Sequence, residues 1–99
     1  MMAEIAVYPS KQEHMSPAIA MALQEIKKCE VQYQLGPMST SIEGTADQVF
    51  LALRKVYEKL AHSEERIFMN ISLDSTPTRA TSLADRVSSV EAATASSLP

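Results

Sequence analysis

The chain has 99 residues, 45% apolar and 21% charged, with a net charge of −3 and two glycines. Those figures suit one small globular domain with a single core, and the absence of a Lys or Arg cluster argues against nucleic acid binding, which depends on neutralising phosphates. A single cysteine, Cys29, excludes an internal disulfide or a cysteine-based zinc site and fits a reducing compartment. The amino terminus lacks the basic-then-apolar layout of a signal peptide, and no apolar run approaches membrane-spanning length. A cytoplasmic protein with no membrane partner is therefore expected.

Met2 to Tyr8 reads as a first strand, with Ala3, Ile5 and Val7 on one face, Glu4, Ala6 and Tyr8 on the other, and Pro9 ending it. Ser16-Pro17 has the form of a helix start, a serine cap followed by proline at the first helical position. Ile19, Ala22, Leu23 and Ile26 then fall on one apolar stripe, and the helix is expected to end near Lys28-Cys29. Val31 to Leu35 and Met38 to Glu43 alternate apolar with polar residues around Gly36-Pro37, which predicts a hairpin. Gly44 permits a change of direction, and Thr45-Ala46-Asp47-Gln48 predicts a capping box opening a second helix. Val49, Phe50, Leu53, Val56, Tyr57 and Leu60 follow at helical spacing. Arg66 to Asp74 alternates again and forms the last strand. Ser82 is placed to cap a short closing helix bearing Leu83, Val87 and Val90, and the Ala/Ser/Thr-rich tail 92–99 is expected to fray.

The order strand, helix, strand, strand, helix, strand gives a ferredoxin-like α+β sandwich as one domain over residues 1–91, with both helices on one face of a four-stranded sheet. The other face would present Glu4, Ala6, Tyr8, Gln34, Ser39, Ser41, Glu43, Phe68, Asn70 and Ser72. That mixture is too apolar to be plainly solvated, so a second subunit covering it, in a homo-oligomer, is expected.

Glu4-Ile5-Ala6-Val7-Tyr8-Pro9, Val31 to Leu35, Pro37-Met38-Ser39-Thr40-Ser41-Ile42-Glu43-Gly44 and Asp47-Gln48-Val49-Phe50 together resemble the thiamine-binding protein family. The closing stretch Ser82-Leu83 with Arg86 to Glu91 is similar as well, so the likeness runs to about Glu91. The resemblance implies non-catalytic binding of thiamine or its hydroxymethylpyrimidine portion, as carrier, buffer or sensor, in a dimer or tetramer assembled through the sheets.

An aminopyrimidine sets a ring acceptor beside an exocyclic donor, so a site must offer a donor and an acceptor side by side. Ser39, Thr40, Glu43 and Asn70 meet that need. Tyr8 and Tyr33 could wall a flat ring or face a thiazolium cation, and Ser16 at a helix start is a further candidate contact. Each has a plainer reading. Ser39 and Ser41 could face solvent or another subunit, Tyr8 and Tyr33 could be packing residues, Glu43 a strand-end charge, and Thr40 a core-facing threonine satisfied by a backbone carbonyl. Asparagine is depleted in mid-strand, which makes Asn70 the more informative case.

Catalysis finds little support. Cys29 and His62 belong to the ends of different helices with no third group to orient the histidine, so Cys29 reads as a partly buried hydrophobe. His14 and His62 show no metal-ligand spacing, and two glycines are too few for a phosphate loop. A non-enzyme without cofactor or metal is expected. The competing reading is a ligand-free ferredoxin-like module whose sheet serves only to assemble oligomers.

Overall fold

The computed structural model describes residues 1–9, 16–64, 66–77, 87–88 and 90–94. Its elements are β1 (Met2–Pro9), α1 (Ser16–Lys27), β2 (Gln32–Leu35), β3 (Thr40–Glu43), α2 (Ala46–Ala61) and β4 (Ile67–Asp74). The strands form one antiparallel sheet in the order β2-β3-β1-β4, so each helix crosses over from one strand to a second lying two places away. This is the ferredoxin-like α+β sandwich that the element order implies. Loop 10–15 and the cap proposed at Ser82 lie outside the described residues.

Period-two alternation in β1 and period-3.6 stripes on the helices meet in one core. Ala3, Ile5 and Val7 from β1 and Ile42 from β3 pack beneath Ala18, Ala22 and Ile26 of α1 and Val49, Ala52, Leu53, Val56 and Leu60 of α2. Two residues of the expected α2 stripe fall outside it. Phe50 and Tyr57 are 51% and 55% exposed, because the buried row turns out to run through Ala52, a small residue over which α1 can pack closely.

The capping box at the start of α2 forms as expected. The Gln48 N–H donates to Thr45 Oγ1 at 3.2 Å and the Thr45 N–H donates to Gln48 Oε1 at 2.9 Å. Gly44 just before it does not take a left-handed conformation. A side chain there would instead meet Gln48 Oε1 at 2.8 Å and Val31 Cγ1 at 3.2 Å, so glycine leaves room for the cap. The Gly44 N–H donates to the Met1 carbonyl at 3.1 Å, which adds a rung beyond Met2 and Glu43 to the β1–β3 ladder.

The hairpin is tighter in its strands than the alternation suggests. β3 begins at Thr40 rather than Met38, and the Gly36 N–H donates to the Ser39 carbonyl at 2.8 Å across the turn. Pro37 and Met38 form its exposed tip. At the other end of the chain, residues 87–88 and 90–94 are helical, so helix extends two residues past Ala92. No helix among the described residues is long and apolar enough to cross a membrane.

Candidate functional site

The site follows from a mismatch of strand lengths. β1 has eight residues, but β3 pairs only with Met2 to Ile5, the last rung being Ile5 opposite Thr40. Beyond that rung β1 continues alone on this side, while the chain of the hairpin turns away through Gly36 to Ser39. The sheet therefore opens like a fork. Alternate residues of an antiparallel strand turn their N–H and C=O to opposite sides, so part of the backbone of Ala6 to Tyr8 faces the opening with no strand to pair with it.

A cavity of about 240 Å³ occupies this opening. Its walls are Ile5 and Val7 of β1, Ile19, Ala22 and Ile26 of α1, Val56 of α2, and the turn from Leu35 to Thr40. Pockets for drug-sized ligands hold roughly 300–1,000 Å³. This one has room for a single small ring. All its described lining residues are uncharged.

Thr40 is the polar side chain that matters most. It is 8% exposed and lines the cavity, and among the described residues its hydroxyl makes no hydrogen bond. Buried hydroxyls are nearly always bonded. Of its two sequence-based readings, the core-facing position is correct but the satisfying carbonyl is missing. Ser39, half-buried, lies beside it on the cavity wall, and its own carbonyl is spent on Gly36. Tyr8 also lines the cavity, and its ring leans on Phe68 with centroids 5.9 Å apart at 58°.

The remaining sequence candidates do not join these three. Tyr33 is on the helix side of the sheet, opposite Ile42, but on outer strand β2 and away from the opening. Glu43 sits at the far end of β3, opposite Met2, on the open side of the sheet. Asn70 is exposed on that open side too, across from Ala6 but on β4, the strand beyond β1. Ser16 opens α1, and its side chain lies outside the described residues. Sequence reasoning missed the apolar wall, since Ile5, Val7, Ile19, Ala22 and Ile26 read simply as core. The sequence held no signal for it, since Met38 to Glu43 alternates over almost the same length as Met2 to Tyr8 and only the structure shortens β3 to Thr40–Glu43.

Cys29, half-buried, donates its thiol to the Glu25 carbonyl at 3.4 Å and packs against the core. No group of three metal-ligating side chains occurs among the described residues. On α2, the Arg54 guanidinium donates to Glu58 Oε1 at 2.7 Å and holds that carboxyl below its ordinary range.

The model of the family described as thiamine-binding protein matches residues 3–91. The chain belongs to the thiamine-binding protein family. No curated protein matches it significantly. Among solved structures, the fold of this family member is similar to a hypothetical protein of Methanocaldococcus jannascii, with a TM-score of 0.83 at 18% identity over 91% of this chain and 94% of that one. A protein of Thermotoga maritima proposed to act in thiamine biosynthesis or salvage gives 0.79 at 20% identity, over 90% and 96%. A domain of unknown function from Bacillus cereus gives 0.76 at 18%, over 87% and 85%. At such identities the likeness speaks for the fold, and the match to the thiamine-binding protein family speaks for the lineage.

Proposed function

We propose that this member of the thiamine-binding protein family binds thiamine or hydroxymethylpyrimidine without catalysis, as a carrier, buffer or sensor, in the opening between β1 and the hairpin turn. The observation behind this is the buried, unbonded hydroxyl of Thr40 on the wall of an apolar cavity. An aminopyrimidine needs a donor and an acceptor in one plane. The free backbone edge of β1 offers alternating N–H and C=O groups at strand spacing, and Thr40 with Ser39 offers hydroxyls that can donate or accept. The volume suits the pyrimidine ring alone, which leaves the thiazolium of intact thiamine at the rim, near the aromatic pair Tyr8 and Phe68. Family membership, and the vitamin-related role proposed for the Thermotoga protein, favour the same ligand class.

The open side of the sheet supports an accompanying reading. Tyr8 and Phe68 are exposed there beside Ala6, and a second subunit over this face, in a dimer or tetramer, would remove them from water. An unpaired cysteine agrees with a cytoplasmic location. Calorimetric titration with thiamine and with hydroxymethylpyrimidine tests the ligand. Saturable heat with either is the expected result, and no heat with both at high protein concentration would leave only the assembly module.

A further inference from the structure

The turn that bounds the cavity has an apolar rim. Leu35 and Met38 both line the cavity and both stand in water, with exposed Pro37 between them. Met38 is 86% exposed, the most of any large apolar side chain among the described residues. The hairpin itself gives no reason for it. The ladder of β2 and β3 ends at Leu35 opposite Thr40, and the residues beyond that rung form a turn, where Gly, Asn, Asp and Ser are the usual choices. The backbone around Met38 is also pinned. The Gly36 N–H donates to the Ser39 carbonyl at 2.8 Å, and a Cβ at Gly36 would come within 3.0 Å of that oxygen. Movement at the tip therefore belongs to the Met38 side chain, which is unbranched and turns about three bonds.

We propose that Met38 is a positioning residue for the bound ring: once a flat heteroaromatic ring is seated against Thr40, the thioether chain folds out of solvent over the mouth of the cavity and holds the ring there. This role rests on the binding site proposed above. The cavity of about 240 Å³ has room for one small ring, so a seated ring would keep one side toward water. Met38 covers that side, which buries apolar area on both partners and brings sulfur to the ring, a contact that thioethers favour. Leu35 is shorter and branched, and Pro37 is rigid, so neither can serve as the moving part. With Met38 in solvent the mouth stands open. Entry of the ring is unhindered, and the cover acts on its departure.

The test titrates hydroxymethylpyrimidine by calorimetry into wild type, Met38→Leu, Met38→Gln and Met38→Ala. Met38→Ala and Met38→Gln should each weaken binding on the order of tenfold, one by removing the cover and the other by making it polar. Met38→Leu keeps most of the apolar volume and should bind within a few-fold of wild type. The urea midpoint should be the same in all four proteins, since so exposed a side chain adds little to the folded state. Carbon-13 labelling of the methionine methyl groups reads the closure directly. The Met38 signal, assigned by its loss in Met38→Leu, should move upfield under the ring current as ligand saturates, while that of Met2, at the far end of β1, should stay. Wild-type affinity in Met38→Ala or in Met38→Gln, or a Met38 signal that ligand leaves unmoved, would overturn the cover and leave the site standing. A wild type that binds no hydroxymethylpyrimidine would overturn both.

Discussion

Thr40 separates a structural role from a binding role because its hydroxyl is buried with no partner among the described residues. Thr40→Val keeps the β-branched shape and removes only the oxygen, so the folded state should hold or gain stability, by about 1 kcal/mol if the desolvation penalty is recovered. Affinity for the pyrimidine should fall by roughly 1 kcal/mol, a loss of about fivefold. Urea denaturation and calorimetry on the same variant read the two effects, and a loss of stability with unchanged affinity would make Thr40 a packing residue. Glu58 shows a second residue-scale effect. Its carboxyl is depressed chiefly by the hydrogen bond from Arg54, so its contribution is present above the unfolded-state value and is lost as pH falls through the folded one. The group is exposed and the effect is small. Glu58→Gln should lower stability slightly at neutral and basic pH, where the ionised carboxylate contributes, and leave strongly acid pH unchanged, so the acid side of the profile flattens.

At the scale of the element, the start of α2 is the best-defined feature. Thr45→Ala removes one arm of the capping box and should cost about 1 kcal/mol, measured as a drop in urea midpoint with unchanged slope. Gly44→Ala should cost a similar amount by pushing Gln48 Oε1 away from the Thr45 N–H. The pattern of α2 was legible because cap, polar face and apolar stripe all agree. Phe50 and Tyr57 misled it, since spacing by 3.6 admits a neighbouring row as readily as the buried one. Phe50→Ser and Tyr57→Ser should each change stability by less than about 0.5 kcal/mol if no partner covers them. Ile42→Ala, fully buried between β1 and the helices, should cost roughly 2–5 kcal/mol.

For the whole molecule, ligand and fold are linked by mass action. A ligand at one hundred times its dissociation constant adds about 2.7 kcal/mol, which in a domain near 100 residues raises Tm by roughly 4–8 °C per kcal/mol. Thermal scans with increasing hydroxymethylpyrimidine should show that rise, and Thr40→Val should need several times more ligand to reach it. The same domain would be held at two places: its core and the cavity beside β1.

Alternation in the strands, the capping box at Thr45 and the two apolar helix stripes were enough to determine element order and the ferredoxin-like sandwich, because each is a local pattern whose period the backbone imposes. They did not determine the site. Ser39, Thr40 and Tyr8 could be named as polar or aromatic candidates, and so could Glu43 and Asn70, since alternation says which residues share a face of one strand but not how far a neighbouring strand extends beside it. Only the tertiary structure stopped β3 at Thr40 while β1 ran on to Pro9, and that difference in length opens the cavity and turns core residues into its wall.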